Sequence, residues 1–175
     1  MNKKVIYTAI FGGYDKLPDP TFIPEGCDFV CFTDSDIQSD VWEIKKVPAI
    51  YEDPTRNARK YKVLPHRWFP DYEYSLWVDG NIIVRDNVNE LITQYLSDVN
   101  LAVHDHNQNQ LDPRDCVYTE AEVIFYFGKK NGSYKDDPTI INKQIQRYVD
   151  EGYPEHNSLA VTMQVLRRHN ESDCI

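Results

Sequence analysis

Ser75-Leu76-Trp77-Val78-Asp79-Gly80-Asn81-Ile82-Ile83-Val84 is the stretch on which the reading of this chain turns. An apolar run climbs to an acidic turn, and a second apolar run leaves it. Two readings compete. Asp-Gly between two apolar runs is the strongest short-range signal for a type I′ hairpin. Alternatively, Asp79 and Asn81, two residues apart, converge two oxygen-bearing side chains where a buried strand ends. Hard cations such as Mg²⁺ and Mn²⁺ take oxygen ligands, often only one or two from side chains, with a bound phosphate supplying others. These ten residues alone favour the hairpin, so the flanking sequence has to decide.

Working outward, Lys4 to Phe11 is rich in β-branched and aromatic residues and predicts a buried first strand. Gly12-Gly13 lets the backbone turn tightly behind it. Asp28 to Asp34 predicts a second strand, and Val41 to Val47 alternates as an edge strand does. Asp53-Pro54 is a cap-and-proline helix start. The helix that follows carries Arg56, Arg59, Lys60 and Lys62, either a solvated face or a set of phosphate partners. Asn87 caps a helix with apolar positions at Val88, Leu91, Ile92, Tyr95 and Leu96. Leu101 to Val103 predicts a strand running into His104-Asp105-His106. Further helices are predicted over 118–129 and from Asp137-Pro138 to Gly152, the latter burying Ile140, Ile141, Ile145, Tyr148 and Val149. Ser158 to Leu166 predicts the last strand. Strands alternating with helices argue for an α/β layered fold with a largely parallel sheet, single-domain over residues 1–175. Ligands of such sheets bind beyond the carboxyl ends of strands, where Thr8–Gly13, Thr33-Asp34, Asp79–Asn81 and His104–His106 collect.

Composition narrows the function. With 28 acidic against 19 basic residues the net charge is −9, which argues against nonspecific binding of nucleic acid or anionic membranes. A diphosphate is an awkward guest here unless a metal or a basic cluster offsets the field. No apolar run has transmembrane length, and the N-terminus does not read as a signal peptide. Cys27, Cys31, Cys116 and Cys174 lack the paired spacing of a zinc site or a disulfide framework. The expectation is a reduced, cytoplasmic protein.

The segments V-I-Y-T-A-I-F-G-G-Y-D, F-V-C-F-T-D, R-N-A-R-K-Y-K and S-L-W-V-D-G-N-I, in that order, resemble a glycosyltransferase-like family. That family was first met as a domain of unknown function in plant turgor-regulation and mucilage proteins, and has microbial members. R-D-C-V-Y-T-E-A, E-G-Y-P and V-L-R-R-H-N extend the resemblance over nearly the whole chain. It implies a GT-A-like (Rossmann-like) nucleotide-diphospho-sugar transferase fold. It also implies transfer of a sugar from a nucleotide-diphospho-sugar, UDP-sugar favoured, to a glycan or other hydroxyl acceptor. By the same analogy Thr8, Ala9, Phe11, Gly13 and Tyr14 line the nucleotide pocket, and Thr33 and Asp34 lie near the base and ribose. Arg56, Arg59 and Lys60 would face the diphosphate. Asp79 and Asn81 would correspond to the Asp-X-Asp motif for Mn²⁺ or Mg²⁺, weakened because Asn81 supplies no charge. His169 would complete the metal site, or is simply a polar strand end.

Acceptor chemistry needs a base or a group near the anomeric carbon. His104 and His106 share a strand face toward the acceptor, or else form a polar loop end; Asp105 points away by the same spacing. Glu120 supplies a base, or sits in a helix's first turn for dipole reasons. The catalytic candidates are therefore His106, Glu120 and Asp105, with His104, Asn157 and Ser158 on the acceptor side. Relatives continue past R-R-H-N to an acidic acceptor-side helix, so that segment is expected to be missing here and a second copy or partner chain to supply the wall. Two alternatives remain: a non-catalytic sugar-nucleotide-binding or scaffold domain, and a ceramidase-like metal-assisted amide hydrolase. The hydrolase has no H-E-x-x-H motif behind it.

Overall fold

The computed structural model describes residues 3–134 and 136–169. Cys174 and Asn170 of the sequence reading lie outside the described residues. The chain divides into two compact units, residues 1–103 with 162–175, and residues 104–161.

The strands are β1 (Lys4–Ile10), β2 (Cys27–Thr33), β3 (Glu43–Lys46), β4 (Tyr74–Val78), β5 (Leu101–Asp105) and β6 (Ala160–Arg168). The helices are α1 (Pro54–Val63), α2 (Pro65–Trp68), α3 (Val88–Tyr95), α4 (Val117–Asn131) and α5 (Pro138–Asp150). They form a mixed α/β architecture around a six-stranded sheet of order β3-β2-β1-β4-β6-β5. β1 pairs parallel with β2 and β4, β2 parallel with β3, and β6 antiparallel with β4.

The apolar run of β1 has a simple cause. Side chains of a strand alternate between faces, and β1 is covered on both. Ile6 and Ile10 enter one cluster with Leu76, Val78, Val88, Ile92 and Leu96, beneath α3. Val5, Tyr7, Ala9 and Phe11 enter the other with Tyr61, Phe69 and Trp77, beneath α1 and α2. The helix starts follow the capping signals: Asp53, Asn87 and Asp137 each accept a backbone N–H of the first turn.

Of the two readings of the acidic turn, the hairpin is excluded: Ile82–Val84 forms no strand, and β6 occupies the place beside β4. One expectation fails. The apolar stripe of α5 is not buried; Ile140 is 51% and Val149 55% exposed, and no α5 residue is buried. Among the described residues no helix is long and apolar enough to cross a membrane.

Gly80 explains the shape of the acidic turn. A Cβ there would lie 2.8 Å from Ile10 Cγ1 and 3.1 Å from Asp15 Oδ2, so glycine is required by close approach rather than by dihedral angle. Gly80→Ala should lower stability by about 1–3 kcal/mol through overpacking, measured as a drop in the chemical-denaturation midpoint; an unchanged midpoint would contradict the packing.

Candidate functional site

Strand order places a crossover between β1 and β4, since the chain leaves β1 toward β2 and β3 and returns to β4 on its other side. In open α/β sheets that is where ligands bind, beyond the carboxyl ends. Asp79 follows β4 directly. Its N–H donates to Met163 O at 2.9 Å, and its carbonyl accepts the Ile82 N–H at 2.9 Å, closing the turn. Asp79 Oδ1 accepts two donors, Trp77 Nε1–H at 2.7 Å and Lys62 Nζ at 3.1 Å. Lys62 lies in the last turn of α1, and helical side chains lean toward the N-terminus. Its ammonium lies 5.5 Å from the Trp77 ring centroid, the apolar stem covered and the charge delivered to Asp79.

Beside it, the loop after β1 is pinned to the end of β2. The Gly12 N–H donates to both Asp34 oxygens, at 2.9 and 3.2 Å, and Ser35 Oγ donates to Oδ1 at 3.1 Å. Gly12 and Gly13 both have φ near +60°, and a Cβ at Gly12 would lie 3.0 Å from Pro54 Cγ at the start of α1. Asp34 therefore acts through the loop backbone. Thr8, Ala9, Phe11 and Thr33 have buried side chains that belong to the core, so only their backbone is available to a nucleotide pocket of the kind the resemblance implied. Gly13 and Tyr14 are exposed beyond the strand end.

The basic helix face is split. Arg56 pairs with Asp53 at 3.8 Å, Arg59 is exposed, and Lys60 lies over the rings of Tyr61 and Trp68. Lys62, absent from the residues singled out by resemblance, is the α1 cation at Asp79. The helical spacing held a usable signal: Asn57 and Tyr61 are the buried residues of α1, and Lys62 adjoins them.

His169 does not join Asp79. Its N–H donates to Glu73 O and its Nε2 contacts Ser75 Oγ at 2.8 Å, at the start of β4. Glu73 and Asp79 are separated by roughly 20 Å of strand. Burial, assisted by the charge of nearby Arg167, holds the His169 imidazole below its ordinary pKa. Among the described residues no group of three His, Cys, Asp or Glu side chains is placed to hold a metal ion. The donor set fits a resident divalent cation poorly: Asp79 Oδ1 already holds an ammonium, and Asn81 is neutral and exposed.

In the unit 104–161, Arg114 is the hub. Its guanidinium, 14% exposed, pairs with Glu120 and with Asp112 at 3.0 Å, and meets His106 Nε2 at 3.0 Å. His106 and Glu120 thus share one cation and are not free bases. Asp105 caps a 3₁₀ turn over His106–Gln108 by accepting the Asn107 N–H at 3.0 Å. His104 is exposed on β5. Ser158 and His156 both have positive φ, 65° and 54°, flanking exposed Asn157. His156 Nδ1 meets Asp115 at 2.8 Å. Cys116 begins α4; burial raises its thiol pKa, but the N–H groups of His156, Thr119 and Tyr118 together outweigh that and lower it. The His156 pairing was missed because its partner lies 41 residues away, whereas the Arg114 partners are all within eight residues and their mixed spacing matches no helix or strand period.

The family described as TOD1/MUCI70, glycosyltransferase-like domain, matches residues 32–167. The chain belongs to that family. A TOD1/MUCI70-type relative, the "Probable hexosyltransferase MUCI70" of Arabidopsis thaliana, is 26% identical over 194 residues, covering 94% of this chain. The chain spans 32% of that relative's length. No solved structure matches. The matched TOD1/MUCI70 span contains Lys62, Asp79 and Arg114, whereas β1 and Gly12-Gly13 lie before it.

Asp115 holds His156 above its ordinary pKa, first by hydrogen bond and then by charge. The raised value favours the protonated form in the fold, so this interaction is complete below the ordinary histidine range and is lost as pH rises through the folded value. NMR titration should place His156 above a model histidine, and Asp115→Asn should lower it; identical curves would contradict the pairing.

Proposed function

We propose that this domain is a glycosyltransferase of GT-A type, taking a sugar from a nucleotide-diphospho-sugar and passing it to a hydroxyl acceptor. UDP is the favoured nucleotide and a glycan the favoured acceptor. The observation that carries the reading is the Lys62–Asp79–Trp77 group at the β1/β4 crossover, beside the Asp34-pinned glycine loop. A parallel sheet binds its ligand there, and a diphosphate requires a cation held in place there. Family membership and the hexosyltransferase relative support the reaction class.

In the reaction the anomeric carbon exchanges its bond to the diphosphate oxygen for one to the acceptor oxygen. The bonding pair leaves with the nucleoside diphosphate, and the acceptor hydroxyl releases its proton. The protein's work is to hold the diphosphate, stabilise the charge that appears on it and exclude water. In the donor site, Gly13 and exposed Tyr14 supply backbone and a ring at the nucleoside end, with Asp34 keeping the loop in position.

Thermal-shift measurements with UDP, GDP, CDP and ADP, each with and without Mn²⁺, test this. A ligand bound only by the fold raises its melting point, so one nucleotide should stabilise the domain by a few degrees. Asp34→Asn should weaken that shift by loosening the Gly12 loop. A folded sample that responds to none of the four would remove the donor site.

A further inference from the structure

Lys62 is not placed as surface lysines are. Its side chain is 17% exposed and its partner Asp79 35% exposed, so the pair is half out of water. The backbone under it is fixed as well: the Lys62 carbonyl accepts Arg167 Nη1 at 2.8 Å and Tyr7 Oη at 3.4 Å. The ammonium lies 5.5 Å from the Trp77 ring centroid, and the indole N–H of that same Trp77 binds the same Asp79 oxygen. Three contacts therefore aim one ammonium at the end of β4. The other α1 cations do not duplicate it: Arg56 pairs with Asp53, Lys60 covers aromatic rings, and Arg59 is exposed, with no contact to the end of β4 among the described residues.

We propose that Lys62 is the cation that meets the donor diphosphate, and that Asp79 positions it there instead of holding a resident divalent ion. The proposal rests on the donor-site reading above. An ammonium has three N–H donors. One is spent on Asp79, leaving two for phosphate oxygens. A divalent ion at the same carboxylate would have to displace an ammonium and would find only a neutral amide at Asn81. In an acidic chain, the Lys62–Asp79 pair presents no net charge to an approaching diphosphate, whereas bare Asp79 would repel it. When the anomeric C–O bond breaks, the electron pair stays on the diphosphate oxygen. Lys62 stabilises it by charge and hydrogen bond, with no proton exchanged at Lys62, while the acceptor hydroxyl supplies the pair for the new bond and gives up its proton to a base on the acceptor side.

Calorimetric titration in excess EDTA decides the matter, using inorganic pyrophosphate and the four nucleoside diphosphates as probes. Pyrophosphate and one nucleotide should bind without metal. Lys62→Gln and Lys62→Met, the latter keeping the stem on Trp77, should each weaken both by at least about tenfold, the scale of a lost charge-assisted hydrogen bond. Lys62→Arg should recover most of that loss, and binding of the parent nucleoside should stay unchanged. Asp79→Asn keeps a side-chain oxygen to accept from Lys62 and Trp77 while removing a negative charge beside the ligand, so metal-free affinity should be equal or tighter. The opposite pattern overturns the proposal: binding that requires Mn²⁺, is abolished by Asp79→Asn and moves less than twofold in Lys62→Gln. That result would keep the donor site and assign it to a metal. No binding of any probe, with or without Mn²⁺, ends both readings.

Discussion

A strand with neighbours on both edges and packing on both faces has no side chain left for solvent, and β1 is in that position from Val5 to Ile10. Even-numbered residues Ile6 and Ile10 fill one layer, and odd-numbered Val5, Tyr7 and Ala9 fill the other. The helices on each face are held by this alternation. Polar chemistry is thereby driven to where the strands stop. Gly12-Gly13, Asp34 and Asp79 follow their strands directly, and parallel pairing brings those carboxyl ends to one side of the sheet. The position of the site is thus a consequence of burial.

Charge has to be managed in so acidic a chain, and the two units do it differently. At the end of β4 one carboxylate, one ammonium and one indole are combined, leaving Lys62 with donors to spend on a ligand. Around Arg114, two carboxylates and a histidine converge on one guanidinium. The second arrangement gathers its charges on one guanidinium and holds the segment between β5 and α4, though Arg114 Nε and His106 Nδ1 stay without a hydrogen-bond partner among the described residues. Partly buried groups of this kind are costly to leave unpaired.

Much of the fold was legible because its signals were local. Short apolar runs rich in β-branched and aromatic residues marked the buried strands, and Asp53, Asn87 and Asp137 marked helix starts by the geometry of a capping carboxylate or amide. The failures share a different cause. Asp79-Gly80 alone reads as a hairpin, and in the sequence only the collection of polar residues at other strand ends argues against it; the place beside β4 belongs to β6. The stripe of α5 has the helical period, but periodicity does not reveal whether a partner surface exists. Asp79 and Asn81 were legible because they are two residues apart. Lys62 was visible only as one cation of four, since its partner is seventeen residues away. Thr8, Ala9, Phe11 and Thr33 sit in the right segments but face inward, which resemblance of segments does not specify. His169 was joined to the acidic turn by analogy, and antiparallel register puts it at the other end of the strand.

Gly80 bears on how the site responds when a ligand arrives. The acidic turn sits against Ile10 with no room for one more carbon, and its first amide belongs to the hydrogen-bonded ladder with β6. Such a turn moves with the core and not as a loop. The conformational freedom that an ordinary binding loop surrenders on meeting its ligand has here already been lost during folding. Donor capture at this carboxylate is accordingly a rigid-body encounter, with little ordering entropy at the turn to set against the enthalpy of the new contacts.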